Sequence, residues 1–228
     1  MTKMLKYRNK VLSLQKFSTL FMSNLNGHGE DYFQFNHIKH LKSWYGFVIK
    51  PYYSYLAKYC MSKPAKIAPG SKVLDIGCGI GLLVEAFNKL GFYALGVDIS
   101  DPAIANSIAK EKCFLVKSTS KLGFAENVFD LVVSREVLEH IPEGEIDECI
   151  SEWDRISKGI MIHLIAVSER GESAFADPNH VNVKPERWWV EKFRDHGYIA
   201  AVKPPKYFFS LYGRSGYFIF KKTKFSIC

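Results

Sequence analysis

The sequence predicts an α/β fold in which a mostly parallel sheet is sandwiched by helices and preceded by a helical segment. Three observations predict it. The stretch "KVLDIGCGIG" runs from an apolar strand into a glycine-rich turn and on into a helix with one apolar face, which is half of a βαβ unit. Strand-like and helix-like runs then alternate along the chain, the order that builds a parallel sheet. Near the end, "YIAAVKPPKYFF" and "SGYFIFKKT" leave too little chain between them for a crossover helix, so they form an antiparallel hairpin at a sheet edge.

The elements follow in order. From residue 5 to about residue 60 the pattern is helical, with Leu14, Phe17 and Phe21 at helical spacing, a break at "NGHG" and an end at "SKPAKIAPG". After Gly70 the first strand leads into a helix whose apolar positions Leu82, Leu83, Ala86, Phe87 and Leu90 share one face, with Gly91 as its C-terminal glycine. Strand two, "YALGVD", ends at Asp98, and a helix begins with Asp101 as N-cap and Pro102 in its first position. Strands "CFLVK" and "VFDLVVS" come next. A helix from about Pro142 buries Ile146, Cys149, Ile150 and Trp153 and leaves Glu145, Asp147, Glu148 and Glu152 on a solvated side. Strand five, "KGIMIHLIAV", is apolar throughout, as a strand covered on both faces must be, and His163 within it is expected to be buried and hydrogen-bonded. The loop "SERGESAFADPNHVNVK" and a helix from Pro185 to about His196, closed by Gly197, lead to the hairpin.

The 228 residues are 47% hydrophobic, enough for one sizeable core with appendages. Five cysteines, an odd number without CxxC spacing, argue against a disulfide framework or structural zinc site and for a reducing setting. No run approaches the ~18 apolar residues of a membrane span, and the N-terminus lacks an apolar core with a cleavage site, so a cytoplasmic location is expected. Charge divides the chain. Residues 1–66 hold 11 Lys/Arg against two acids, while the remainder hold 20 against 21, so the whole basic excess lies in this first segment. Its interleaved aromatics could grip single-stranded nucleic acid, anionic lipid or a phosphorylated substrate, or could pack as a cationic helical cap. The expected division is a basic aromatic cap over 1–66 and a ligand-binding domain over 67–228.

Three cofactor classes compete for the glycine turn. A phosphate-binding P-loop needs Lys and Ser/Thr after its last glycine, whereas Leu82 and Leu83 follow Gly81. A dinucleotide turn wants G-x-G-x-x-G, and this one reads Gly77-x-Gly79-x-Gly81 with Leu82 in the third position, which weakens an NAD reading. With Asp75 two residues before the first glycine, the turn resembles motif I of the class I S-adenosylmethionine-dependent methyltransferases. "LGFAENVFDLVVSREVLEHI" and "HVNVKPERWWVEKFRDHGY" follow in that family's order, so the resemblance covers about residues 55–222.

The resemblance implies a Rossmann-like seven-stranded sheet in the order 3-2-1-4-5-7-6, the last strand antiparallel. It implies S-adenosylmethionine as cofactor and S-adenosylhomocysteine as product. Gly77, Cys78, Gly79 and Gly81 would form the bare turn beneath the methionine part and ribose. Asp75 would orient the turn and meet the cofactor's amino group, Asp98 would accept both ribose hydroxyls, and Ile99 would lie on the adenine. Where many relatives carry an acid for the adenine amine, this sequence offers Ser118 and Thr119, whose hydroxyls can also meet a ring edge.

The methyl acceptor is expected at the carboxyl edge of the sheet, near Ser134, on the cofactor side, and Arg135, on the acceptor side. The Glu139-His140 pair resembles the small-molecule branch of the family, including quinone-pathway enzymes. His140 is a candidate general base or pocket-lining residue, and His180, with Asp177 nearby to fix its tautomer, is the other candidate. A His37/His40 pair near Glu30 and Asp31 has no HExxH context, and no metal site is expected. The function expected is methylation, O-methylation first, of a small or carrier-linked metabolite such as a sugar or glycan precursor, with an anionic acceptor suiting the basic segment. The alternatives are an RNA methyltransferase using that segment and a non-catalytic binding protein on the same fold.

Overall fold

The computed structural model describes residues 50–168, 179–201 and 215–223. The expected helices before residue 50, the His37/His40 pair and Asp177 lie outside the described residues.

Seven strands form one sheet in the order β3-β2-β1-β4-β5-β7-β6. They are β1 (Lys72–Ile76), β2 (Tyr93–Asp98), β3 (Cys113–Leu115), β4 (Leu131–Arg135), β5 (Ile160–Ala166), β6 (Tyr198–Ala201) and β7 (Ser215–Lys222). The first five pair in parallel, β1 flanked by β2 and β4, and β7 runs antiparallel to both β5 and β6. This is the expected order, with the closing hairpin at the edge.

The chain enters through α1 (Lys50–Tyr55), which continues as a widened turn over Leu56–Ser62 and stops at Lys66 in the left-handed conformation. Helix α2 (Leu82–Lys89) starts at the glycine turn and ends before Gly91, whose φ of +87° is the expected C-terminal signature. Helix α3 (Asp101–Ala105) is capped by Ser100, not Asp101. The Ser100 backbone is extended and its Oγ accepts from the Ala103 N–H at 3.3 Å, which places Pro102 one position deeper in the first turn.

Helix α4 (Ile146–Ile156) buries Ile146, Cys149, Ile150 and Trp153 as the spacing predicts. Its acidic face is not purely solvated. Glu152 accepts from the Leu122 N–H at 2.8 Å and holds Arg155, and Asp147 pairs with Lys192 and His196 of the helix at the far end of the chain. That helix, α5 (Glu186–Asp195), covers the same face of the sheet.

Two apolar layers result. One joins Tyr52, Tyr53, Leu56, Ala57 and Met61 to Leu83, Val84 and Phe87 of α2, so the described end of the expected cap is built into the core. The other packs Trp153, Trp189, Phe193 and Phe220 around the opposite face. Burying a side chain of this size contributes roughly 1.5–3 kcal/mol each, which is what holds the loops at the carboxyl edge in place. No helix among the described residues is long and apolar enough to cross a membrane.

Candidate functional site

The carboxyl ends of β1 and β2 are stitched together by the glycine turn. Gly77 and Cys78 both donate their N–H to the Val97 carbonyl, at 2.8 and 3.0 Å. Gly77 has φ +70°, and a Cβ there would stand 2.3 Å from Val137 Cγ2, so no larger residue fits. Gly79, at φ +53°, has nothing within 4 Å of where a Cβ would be. The backbone at Gly79 is therefore open to a close-lying ligand.

Two carboxylates flank that opening. Asp98, at the end of β2, takes the Gly79 N–H on Oδ2 at 2.7 Å and the Ser100 N–H on Oδ1 at 2.8 Å. It is 7% exposed, and each oxygen keeps a second lone-pair direction for a ligand hydroxyl. Beside it Ile99 is 65% exposed, an apolar surface of the kind a planar base covers. Asp75, in β1, is 3% exposed, and no hydrogen bond from the described residues reaches its carboxyl. Burial pushes its pKa well above the usual carboxylate range, with Arg135 pulling the other way. A buried, unpaired carboxyl at the foot of an open turn suits a cationic amino group.

Other sequence-predicted residues fall differently. Cys78 turns inward: its Sγ lies against Gly96 and donates to the Gly79 carbonyl at 3.6 Å, so it offers a ligand backbone only. Gly81 is packed beneath the turn against Cys113 and Ser107. The Ser118 hydroxyl pairs with Ser120 at 2.9 Å, and that of Thr119 faces Cys149 at 3.5 Å, so both are engaged within their own loop and α4. The Ser134 hydroxyl is fully buried and bonded to His163 Nδ1 at 2.8 Å, which removes it from the cofactor side. His163 is buried and hydrogen-bonded as expected, and burial lowers its pKa to about 3, so it stays neutral. Arg135 stacks over the Tyr53 ring at 4.8 Å and donates to its hydroxyl, closing the Asp75 end of the site.

The structure brings the acceptor-side candidates together. Glu139 and His140 sit on a 3₁₀ turn, Leu138–His140, beyond β4. Glu139 is fully buried; its Oε1 accepts the Ala166 N–H at 2.9 Å, and its carbonyl accepts the Asn182 N–H at 3.0 Å. His140 Nδ1 lies 3.0 Å from the Asn179 carbonyl, and the His140 and His180 rings meet edge to face at 4.6 Å. Asn179 through Asn182 are thus clasped onto the turn after β4.

Sequence reasoning missed four residues here. Val137 walls Gly77, and Tyr53 carries Arg135. Asn182 is buried with neither amide atom bonded, and Glu136 holds a left-handed φ of +54° at the end of β4. None of the four left a distinct trace in the sequence, the polar run "NHVN" around Asn182 reading as a turn.

Residues 74–162 match the model of a family described as the methyltransferase domain. A ubiquinone biosynthesis O-methyltransferase of Rhodopseudomonas palustris (strain BisB5) is 32% identical over 124 residues, 50% of this chain and 47% of the relative. The chain spans about half the length of the curated relatives it matches. Among solved structures, a SAM-dependent methyltransferase from Archaeoglobus fulgidus superposes with TM-score 0.61 at 17% identity, covering 83% of this chain and all of the other. The [4+2]-cyclase SpnF superposes with TM-score 0.57 at 19% identity, covering 77% and 82%. At these identities the superpositions speak for the fold alone. Residues 74–162 thus match a methyltransferase domain, and the sheet order is that of a fold shared with S-adenosylmethionine-dependent methyltransferases.

Proposed function

We propose that this protein is a cytoplasmic S-adenosylmethionine-dependent methyltransferase that methylates an oxygen of a small or carrier-linked metabolite. The observation that carries the reading is the pair of flanking carboxylates: buried, unpaired Asp75 and loop-clamped Asp98 on either side of the open Gly79 backbone. The residues fit the cofactor without a phosphate site, since no lysine follows the turn. Asp75 would hold the amino group, Asp98 the ribose hydroxyls and Ile99 the adenine face.

Bound there, the cofactor supplies a methyl group already made electrophilic by its sulfonium. The chain's own work is then to align the acceptor, exclude water and take up a proton. With Nδ1 donating to the Asn179 carbonyl, His140 would present Nε2 as the acceptor's base. His180, against its ring, would line the acceptor. The basic excess in residues 1–66 favours an acceptor carrying phosphate or another anion. The resemblance to enzymes named ubiquinone biosynthesis O-methyltransferases supports transfer to oxygen.

Calorimetry with S-adenosylmethionine, S-adenosylhomocysteine and NAD tests the cofactor. The first two should bind and NAD should not. Asp98→Ala removes hydrogen bonds to a charged acceptor worth roughly 1.5–3 kcal/mol each, and should weaken S-adenosylhomocysteine binding by about 10-fold or more. Unchanged affinity in that variant would sink the assignment.

A further inference from the structure

Two cysteines share the space beneath the glycine turn. Gly96 of β2 pairs in register with Cys113 of β3, so the Cys113 side chain leaves the sheet on the same face that a Gly96 side chain would. Cys78 fills that face from the turn. A Cβ on Gly96 would stand 2.6 Å from Cys78 Cβ and 2.7 Å from its Sγ. On the turn itself, a Cβ on Gly81, whose N–H donates to the Cys78 carbonyl at 2.9 Å, would stand 2.7 Å from Cys113 Sγ. Two glycines thus make room for two free thiols, both buried in one apolar cluster. The spacing of the cysteines along the chain gave no sign of this, because the register between β2 and β3 creates it.

The pair is reactive and sits where the cofactor turn is shaped. The Cys78 thiol draws the Cys113 pKa down to about 7 against the opposing effect of burial, with Ser107 adding to the lowering, while Cys78 itself is pushed up. Cys113 is therefore the thiolate of the pair near neutral pH, the form that attacks an oxidant. Cys78 stands between Gly77 and Gly79, and its Sγ donates to the Gly79 carbonyl at 3.6 Å. A covalent bond holds two sulfurs closer than any packing contact, so joining them would remove that hydrogen bond and draw the turn toward β3. With it would move the Gly79 N–H that Asp98 Oδ2 holds at 2.7 Å.

We propose that Cys78 and Cys113 are a redox-active dithiol, whose closure to a disulfide distorts the turn and weakens cofactor binding. Hydrogen peroxide is the oxidant. The Cys113 thiolate takes one peroxide oxygen and becomes a sulfenic acid, the other oxygen leaving as water once protonated; the Cys78 sulfur then attacks the sulfenic sulfur, and its proton departs with the hydroxyl as a second water. Two thiols have then lost two electrons and two protons, and a dithiol reductant restores them. That the disulfide forms stands on the packing. That it weakens cofactor binding rests on the methyl-transfer reading above.

The full chain is reduced, freed of reductant and treated with hydrogen peroxide, after which remaining thiols are alkylated and peptides are mapped without reduction. A Cys78–Cys113 peptide should appear, and dithiothreitol should abolish it. By calorimetry, S-adenosylhomocysteine affinity should fall about 10-fold or more on oxidation and return on reduction. In a dithiothreitol redox buffer, saturating S-adenosylhomocysteine should shift the equilibrium toward the thiols by the same factor, since the coupling is reciprocal. Cys113→Ser should keep its affinity within about twofold through peroxide treatment, whereas Cys149→Ser should respond as wild type does. If Cys113→Ser fails to fold, the wild-type peptide map decides the matter. Both thiols alkylated after peroxide, or a disulfide that leaves affinity unchanged, overturns the proposal. A reduced chain that ignores S-adenosylhomocysteine sinks the methyltransferase reading instead, and the peptide map then judges the disulfide by itself.

Discussion

Gly77→Ala offers a quantitative test of how the turn is built. The left-handed φ of +70° costs an alanine about 1–2 kcal/mol, and its Cβ would stand 2.3 Å from Val137 Cγ2. Overlap of that size is relieved only by displacing Val137 or the turn, at about 1–3 kcal/mol. The variant should therefore lose about 2–5 kcal/mol, or roughly 4–20 °C in Tm for a domain of this size. Val137→Ala added to it should recover the overlap part and leave the backbone part, so a double-mutant cycle should show a favourable coupling of about 1–3 kcal/mol. Urea denaturation of the four proteins measures it, with S-adenosylhomocysteine affinity followed alongside. A single variant within 0.5 kcal/mol of wild type, or zero coupling, would show that Gly77 is not held by Val137.

Three further outcomes follow from the same geometry. Ser100→Ala removes the α3 cap and should cost about 0.5–2 kcal/mol with little change in cofactor binding, whereas Asp101→Ala should cost less; thermal melts compare them. Asp75 has its pKa raised in the folded state by burial, so its protonated form stabilises the fold at low pH and that contribution fades as pH rises through the folded pKa. Asp75→Asn should accordingly flatten stability above the ordinary carboxylate range while lowering affinity for S-adenosylmethionine, read by denaturation across pH and by calorimetry. His163 shifts the other way. With a folded pKa of about 3 against 6.5 unfolded, it favours the fold above pH 6.5 and loses on the order of 5 kcal/mol as pH falls through that window. The Ser134→Ala/His163→Leu pair should remove this acid sensitivity, and an unchanged pH profile would refute it.

What was legible in the sequence was local. The turn, α2 and β2 are specified by residues within a few positions of one another, so apolar spacing and glycine placement located the elements that carry Asp75, Gly77, Gly79 and Asp98, while the roles expected of them came from the family resemblance. The Asp101 cap failed because Ser and Asp are both good caps, and only the extended backbone at Ser100 chooses between them. Glu152 read as a solvated acid because its partner, the Leu122 N–H, comes from a loop 30 residues earlier. Ser134 read as a cofactor contact because its position at the end of β4 is right, but the register that sets it opposite His163 spends its hydroxyl inside the sheet. Asn182 gave no sign at all, since burial of a loop amide depends on the clasp to Glu139.

The same difference in range divides the chemistry. The proposed cofactor half consists of backbone and two carboxylates on adjacent strands, and it tolerates little change because the turn has no room at Gly77 and Gly81. The proposed acceptor half lies where the turn after β4 meets the chain at Asn179 to Asn182, joined by two hydrogen bonds between loops. The fold also carries a [4+2]-cyclase, so the fold by itself does not set the chemistry of the second half. Substitutions at His140, His180 and Asn182 should then alter which acceptor is used while leaving cofactor affinity in place, and those at Asp75 and Asp98 should do the opposite.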